Sequence, residues 1–506
     1  MALYLIGIGG TGAKCIEAVI HLASAGLFSN TPIKVLFIDP DESNGNLERA
    51  QSTLKLYQRC SQIIAGEKEQ CAWMKTPIES YDLWSPFAQV NINKNLGSFF
   101  NYNNLKQNYQ ELGNLFDVLY TKEERTVNLD VGFRGRPAIG SAVMSQVNLE
   151  TLDQEPWRSL IGQIQADVGG GSPTKVLLCG SMFGGTGASG LPTIGQLLNN
   201  KLRALIESDR INMGCIFMLP YFCFAPPVGE DPDGVYAQSD LFLLNTEAAL
   251  RYYVNQAQKI FSNVYLLGNQ NAKKVEFSIG KNTQRNDPHF LELYAALAAR
   301  KFFLQPCNKQ RPVTLIARQD LGKVTWNDIP EPNIVKQELA NATRFAYAWL
   351  ANTRPELNSA KEQGIVWGQK NIAWFSRFFR PKTFLGNAGK DLPEFGEARE
   401  QDTINVITRW CQTYLQWLYN IHQGEGDDIQ LFESRSLLQP SLEGFLSLVI
   451  NDSRDRGKQT QDTIQELNVK LISEPRNLPA PNQGAAGLAK ALYINSRLEE
   501  PKSGKN

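Results

Sequence analysis

The stretch LYLIGIGGTGAKC, residues 3–15, decides the fold of the first part of the chain. Its apolar run ends abruptly in glycines, and a segment with apolar residues at helical spacing follows. A second apolar run, KVLFIDPDES, comes soon afterwards and ends in acidic residues. Continuous apolar runs of this length are typical of strands buried on both faces of a parallel sheet. We therefore expect a strand–helix–strand unit with a glycine turn after its first strand.

The same pattern recurs in KVLLCGSMFGGTGASGLPTIGQLLNNKL, residues 175–202. Further apolar runs alternate with amphipathic segments to about residue 305, which predicts a doubly wound α/β domain with a parallel sheet over residues 1–305. A polar segment at about 41–130 is expected as an insertion of helices and loops. Residues 306–475 predict a mostly helical C-terminal domain, and the polar tail 476–506 is expected to fray.

Composition limits the class of protein. The chain has 506 residues, enough for two or three domains. Its formal net charge is +0, which favours neither nucleic acid nor an anionic membrane. The eight cysteines form no C-x-x-C pair, and the three histidines are far apart, so a histidine metal site is not expected. The start lacks a signal-peptide pattern, and the strongest later apolar run, 215–228, is too short to span a bilayer. A cytoplasmic protein without a membrane span is expected.

The first glycine turn fits two known phosphate motifs unequally. Gly7 and Gly12 have the Walker spacing, but Lys14 is displaced by one position and points about 100° away from the phosphate. The dinucleotide fingerprint fits better, because Gly7, Gly9 and Gly12 match it and Asp39 ends the second strand, where a ribose-binding acid belongs. An NAD(P)-dependent oxidoreductase is therefore one alternative.

The second glycine turn, GSMFGGTGASG at 180–190, favours a nucleoside triphosphate instead. Successive backbone N–H groups in such a turn form a nest for anions, and the helix that follows adds its dipole. Glycine suits the turn because the phosphate approaches the backbone closely and some φ values are positive. Thr186 and Ser189 offer hydroxyl donors. Together with the first turn, two helix N-termini are expected to converge on one polyphosphate.

Five segments, in order across residues 3–250, resemble tubulin and the bacterial FtsZ-type GTPases, and most of all the divergent bacterial tubulin-like proteins. GIGGTGAK looks like the first glycine loop of that family, and GGTGASG resembles its signature loop. DVGFRGRPAIG resembles the loop around the γ-phosphate, MLPYF the strand end that reaches the ribose, and NTEAAL the helix whose Asn contacts guanine. Three features depart from the family: Phe183 replaces a glycine, the insertion at 41–130 is long, and the C-terminal part looks helical instead of mixed α/β.

The resemblance implies a site for GTP or GDP with Mg²⁺. The first turn would hold the α- and β-phosphates through Gly9, Gly10, Thr11 and Gly12. The backbone N–H groups of the second turn would hold the β- and γ-phosphates: Gly184, Gly185, Thr186, Gly187, Ala188 and Ser189. A third loop would close over the γ-phosphate: Gly135, Arg136, Pro137, Ala138 and Gly140. Asp39 would touch the ribose or the cation, Asp41 would hold Mg²⁺, and Glu230 would bond a ribose hydroxyl. Asn245 would bind the base, since its amide offers both a donor and an acceptor.

The resemblance also implies slow Mg²⁺-dependent GTP hydrolysis coupled to head-to-tail assembly of copies of the chain into filaments, with a catalytic acid supplied by the next subunit. Asp287 and Glu292, in RNDPHFLE, are the candidates for that acid. An Asn-Asp-Pro helix N-cap explains the same residues equally well. A further alternative is a nucleotide-binding scaffold that does not polymerise, in which the helical C-terminal part serves a protein partner.

Overall fold

The structure is a computed structural model. It describes residues 2–28, 30–64, 73–88, 93–206, 210–225, 237–276, 278, 280–306, 313–315, 323–381, 391–423, 429–450, 462–473 and 484–498. The chain divides into two compact units. The sheet unit comprises Met1–Val19, Thr31–Ser52 and Ile78–Gln319, and the helical unit comprises Ile20–Asn30, Thr53–Pro77 and Asp320–Asn506.

The sheet unit contains all the named strands. They are β1 Ala2–Ile8, β2 Ile33–Ile38, β3 Ile78–Ser80, β4 Thr174–Ser181, β5 Ile211–Met218, β6 Phe222–Phe224, β7 Asn263–Leu267, β8 Lys273–Val275 and β9 Val313–Leu315. Within the described ranges, seven strands form one parallel sheet in the order β3-β2-β1-β4-β5-β7-β9, and β6 pairs with β8. The predicted α/β class with a parallel sheet is confirmed.

Buried apolar strands hold the sheet together. All residues of β1 and β4 are buried, as their uninterrupted apolar runs predict for central parallel strands. The two strands pair in register, with Ile8 opposite Gly180 at their carboxyl ends. The direction of strand succession reverses between them, which places a topological switch point at this edge of the sheet.

The helices that begin in the sheet unit follow the strands. They are α1 Gly9–Ser24, α2 Gly45–Ile64, α3 Leu96–Phe99, α4 Tyr102–Asn108, α5 Gln110–Leu119, α6 Lys122–Thr126, α7 Pro137–Met144, α8 Trp157–Gly169, α9 Gly185–Leu205, α10 Phe242–Ile260 and α11 Phe290–Leu304. The segment 41–130 differs from a simple insertion, because β3 joins the sheet beside β2 with Ile78 opposite Ile33. Residues 53–77 of the same segment belong to the helical unit.

The helical unit is built from α12 Pro332–Ala348, α13 Arg354–Gln363, α14 Ile365–Asn371, α15 Phe375–Phe378, α16 Ala398–His422, α17 Ser434–Leu438, α18 Ile464–Ser473 and α19 Gly484–Ser496. Its core includes Trp73, whose ring lies 4.4 Å from that of Phe345 and 5.8 Å from that of Tyr493. Tyr493 belongs to α19, which is largely buried. The expected fraying of the tail is therefore wrong for residues 484–498, because small and apolar residues let this helix pack closely.

The boundary between the units also differs from the predicted break near residue 305. The sheet unit extends through Gln319, and residues 20–30 and 53–77 join the helical unit. Sequence order alone does not reveal this division, because the C-terminal parts of α1 and α2 belong to the helical unit although both helices begin in the sheet unit. None of the helices in the described ranges is long and apolar enough to cross a membrane.

Candidate functional site

One pocket lies in the sheet unit at the carboxyl ends of β1 and β4, where a ligand is expected in an open α/β sheet. We call it the glycine-turn pocket. The first glycine turn, residues 9–12, and the second, residues 184–189, adjoin there. A Cβ atom placed on Gly9 would lie 3.2 Å from Cβ of Thr186 and 3.4 Å from the backbone nitrogen of Gly187. The N-termini of α1 and α9 therefore meet side by side.

The pocket contains about half of the residues that the sequence assigns to the site. Those that line it are Gly9, Gly10, Thr11, Asp39, Asp41, Gly135, Gly184, Gly185, Thr186 and Gly187. Those outside its lining are Gly12, Arg136, Pro137, Ala138, Gly140, Ala188, Ser189, Asn245, Asp287 and Glu292. Glu230 lies outside the described residues. Most residues of the two turns and the two strand-end acids thus line one pocket, whereas the other assigned residues do not line it.

The glycines of the turns serve two different purposes. Gly9 has a φ of +76°, a backbone conformation that favours glycine, and it faces the pocket with Gly10. Gly12 instead packs on β4, since a Cβ there would lie 2.7 Å from the carbonyl oxygen of Cys179. Gly185 lines the pocket, but its Cβ position is 2.7 Å from Cβ of Phe133, so this glycine also allows close packing.

The hydroxyl of Ser189, expected to face phosphate, is used inside α9, where it donates to the carbonyl oxygen of Gly185 at 2.7 Å.

Two buried aspartates follow β2 and line the pocket. An oxygen of Asp39 accepts the backbone N–H of Asp41 at 3.0 Å, and Asp41 in turn accepts the N–H groups of Ser43 at 3.2 Å and Lys281 at 2.7 Å. Burial raises the pKa of Asp39 well above its ordinary value. Carboxylate oxygens suit Mg²⁺, and a cation would favour the charged form of Asp39. Within the described ranges, no group of three or more His, Cys, Asp or Glu side chains is arranged to hold a metal ion.

Asparagines that the sequence assignment missed extend this polar side. Oδ1 of Asn44 accepts the N–H of Asn46 at 3.0 Å, and Nδ2 of Asn44 donates to Oε1 of Gln284 at 2.8 Å. The backbone N–H of Asn46 donates to the carbonyl oxygen of Gln284 at 3.1 Å. The residues on this side of the pocket lining are Asn44, Asn46, Gln284 and Asn286. The available signal is Asn44 directly before the first residue of α2, a position where Asn favours helix capping.

The opposite side of the pocket is aromatic. Phe183, Phe222, Phe224 and Phe242 line it, and the Phe183 ring lies 4.8 Å from that of Phe242 and 5.3 Å from that of Phe222. Asn245 lies behind the second turn, where its Nδ2 donates to the carbonyl oxygen of Phe183 at 3.2 Å. The departure at Phe183 therefore supplies a ring to the pocket wall.

The loop predicted to cover a γ-phosphate contributes a different arginine. Gly135 lines the pocket, as does Arg134, whose φ of 47° is left-handed. The predicted residue, Arg136, is half-buried outside the lining, directly before α7 begins at Pro137. The assigned arginine lies two positions later in the chain than the one that lines the pocket, because the left-handed conformation of Arg134 cannot be read from residue types alone.

The two predicted catalytic acids differ in their surroundings. Glu292 is 1% exposed, and its carboxylate pairs with Nζ of Lys14 at 2.6 Å and accepts the hydroxyl of Tyr221 at 2.7 Å. It also accepts the N–H of His289 at 2.9 Å in a capping box, so Glu292 does cap α11, but the N-cap residue is His289 and not the predicted Asn-Asp-Pro. Asp287 is exposed and directly follows Asn286 in the pocket wall. Both acids thus lie next to the pocket of their own chain. Asp287 follows the lining residue Asn286, and Glu292 pairs with the lining residue Lys14.

A scan against protein-family models and a search of curated proteins found no match to this chain.

Proposed function

We propose that the chain is a cytoplasmic tubulin-like protein that binds GTP and GDP with Mg²⁺ in the glycine-turn pocket. The observation that carries the proposal is the meeting of two glycine turns, each opening a helix, at the switch point of a parallel sheet. Each helix N-terminus presents unpaired backbone N–H groups and the positive end of its dipole. Two such ends in one pocket suit a polyphosphate better than a single phosphate.

The unequal sides of the pocket support a nucleotide as the occupant. Aromatic rings at Phe183, Phe222, Phe224 and Phe242 offer a surface on which a base stacks. The aspartates and asparagines that follow β2 lie on the other side of the turns. A molecule with an aromatic base at one end and a charged, cation-binding phosphate tail at the other matches this division.

The dinucleotide alternative retains one specific observation in its favour. Asp39 ends β2 and lines the pocket, which is the position of the ribose-binding acid in dinucleotide-binding sheets. The second glycine turn is the feature that such a fold does not need. Titration of the full chain with GTP, ATP, NADH and NADPH, each with and without Mg²⁺, discriminates the two functions. Micromolar binding of GTP with no binding of NADH or NADPH supports the proposal, and the reverse pattern overturns it.

Hydrolysis and filament assembly form the second part of the proposal and rest on the family resemblance. Some support comes from α10, where Leu243 and Val254 are 72% and 71% exposed and offer apolar contact area to another subunit. Sedimentation with GTP or GDP tests assembly. Specific GTPase activity measured over a wide range of protein concentration tests whether a neighbour completes the site: it rises with concentration if the acid is supplied in trans and stays flat if a local acid such as Asp287 acts in its own chain.

A further inference from the structure

We infer that the side chain of Asn46 binds the terminal phosphate of a nucleoside triphosphate at the polar end of the glycine-turn pocket. This inference rests on the proposed function and adds to it a residue that distinguishes triphosphate from diphosphate. Nothing in the sequence motifs points to Asn46, which is one of several asparagines in a polar stretch.

The amide of Asn46 contains an atom that lacks a hydrogen-bond partner among the described residues. Asn46 is 2% exposed, and within the described part of the chain its Oδ1 atom is fully buried with no hydrogen-bond partner. Buried side-chain oxygens are nearly always hydrogen-bonded, because leaving one unpaired costs the free energy of its lost hydration. The residue lines the pocket, and its Nδ2 atom lies 3.4 Å from the position of a Cβ on Gly10. The amide therefore faces the first glycine turn with unused bonding capacity.

Neighbouring contacts fix the backbone that carries this amide. The N–H of Asn46 donates both to Oδ1 of Asn44 and to the carbonyl oxygen of Gln284. Asn44 in turn is held by Gln284, so its own amide is satisfied. The Asn46 side chain in this tied turn holds a buried acceptor without a partner among the residues that the structure describes, which is the arrangement expected of a ligand-binding group held in advance of its ligand.

The topology of the sheet indicates which part of a nucleotide reaches Asn46. The strands run in the order β2-β1-β4-β5, with the two glycine turns at the central pair. The aromatic wall includes Phe222 and Phe224, which follow β5, whereas Asn46 follows β2. A nucleotide whose base stacks on the aromatic wall extends its phosphates across both turns toward β2. The phosphate farthest from the base then lies nearest to Asn46.

The chemistry of an amide suits that position. Nδ2 donates a hydrogen bond to a phosphate oxygen, and Oδ1 accepts one from water bound to the accompanying cation. A neutral side chain adds no negative charge to a region that already contains Asp39 and Asp41. An aspartate in place of Asn46 would repel the phosphate directly, so the order of affinity for GTP is expected to be Asn, then Ala, then Asp.

The test is calorimetric titration of the full chain with GTP, GDP, guanosine and inorganic tripolyphosphate in the presence of Mg²⁺. Asn46→Ala is expected to weaken GTP by about tenfold or more, as for loss of a hydrogen bond to a charged group. Binding of GDP and guanosine should stay within about twofold of wild type. Asn46→Asp should weaken GTP further. The exposed Asn103 on α4 provides the matched control, since Asn103→Ala should leave all the titrations unchanged.

A stability measurement separates binding from a structural role. Because Oδ1 of Asn46 makes no hydrogen bond, Asn46→Ala should keep or raise the urea midpoint of the unliganded chain. A lower midpoint with unchanged GTP affinity overturns the inference, as does equal weakening of GTP and GDP, or tighter GTP binding by Asn46→Asp. If wild type binds no nucleotide, the proposed function fails. In that case, loss of tripolyphosphate binding in Asn46→Ala still supports a phosphate-binding role for Asn46. Unchanged tripolyphosphate binding in the variant, or no tripolyphosphate binding by wild type, overturns that role as well.

Discussion

The two glycine turns look alike in sequence, but different contacts lie beneath them. Beside the first turn, Lys14 lines the pocket and forms a buried ion pair with Glu292, which also accepts the hydroxyl of Tyr221 and caps α11. Behind the second turn, Phe183 packs among aromatic rings, and the hydroxyl of Ser181 accepts the N–H of Gly184 at 3.3 Å. One turn is supported by charges and the other by rings and a neutral hydrogen bond.

This difference indicates that two turns with the same glycine pattern can be held in place by different kinds of contact. A buried charge requires its partner, so the support of the first turn fails as a unit when one member is removed. Apolar contacts are lost in proportion to the atoms removed, and the support of the second turn should weaken gradually. Variants of the two supports should therefore differ in how much unfolding free energy they lose and in whether a second substitution restores it.

The largest effect is expected from Glu292→Ala. It leaves the Lys14 ammonium buried without its anionic partner, and such single removals cost about 3–5 kcal/mol of unfolding free energy. The double variant Lys14→Met with Glu292→Leu should recover much of that loss, because both charges are gone. Urea unfolding of the three proteins measures it. A stable Glu292→Ala protein that binds GTP but cannot hydrolyse it would instead restore Glu292 as the catalytic acid.

The next effect is expected from Gly187→Ala in the second turn. A Cβ there would lie 2.6 Å from the backbone nitrogen of Ser181, so β4 or α9 must shift, at a cost of about 3 kcal/mol. Gly162→Ala is the matched control. Gly162 lies within α8 with no heavy atom within 4 Å of its Cβ position, and alanine there should add about 0.5–1 kcal/mol. Equal urea midpoints for the two variants would contradict the packing role of Gly187.

Much of the fold is predictable from sequence because strands buried on both faces appear as uninterrupted apolar runs. The apolar runs of β1 and β4 and the glycines after them identified the parallel sheet and the two turns of the pocket. The helical unit was less predictable, since residues 53–77 join it through contacts between distant parts of the chain such as that of Trp73 with Phe345.

In the site, residues next to a motif were found and residues placed by tertiary packing were not. Asp39 and Asp41 follow directly from the end of an apolar strand, and both line the pocket. The sequence assigns Arg136 to the site, whereas Arg134 lines the pocket, because the left-handed φ of Arg134 decides which arginine faces inward. Asn46 carries no motif, and its role depends on an unpaired acceptor that only a structure reveals.

A smaller effect, dependent on pH, is expected from Asp39→Asn beside the first turn. Burial raises the pKa of Asp39 in the folded chain, so the protonated form is favoured there and ionisation at neutral pH destabilises the fold. The stability linked to this group is fully present below its ordinary pKa of 3.8 and is lost as the pH rises through the folded value. The variant should thus be more stable than wild type at pH 7 and equal to it at acid pH. Urea midpoints across this range measure the difference, and a constant difference would exclude titration of Asp39 as its source.

The smallest effect is expected from Asn245→Ala, which tests the support of the second turn by removing a single neutral contact. The variant loses the hydrogen bond from Nδ2 to the carbonyl oxygen of Phe183, worth about 1 kcal/mol. Because this bond positions the ring and turn that would face the base and phosphates in the proposed site, the affinities for GTP and GDP should fall equally, by roughly fivefold at that energy. Asn46→Ala should weaken the binding of GTP alone, so Asn46, which lines the pocket, and Asn245, which lies behind its second turn, form a matched pair. Titration of both variants with both nucleotides is the measurement. A loss confined to GTP in Asn245→Ala would place the phosphate tail at the aromatic side and reverse the orientation inferred for the nucleotide.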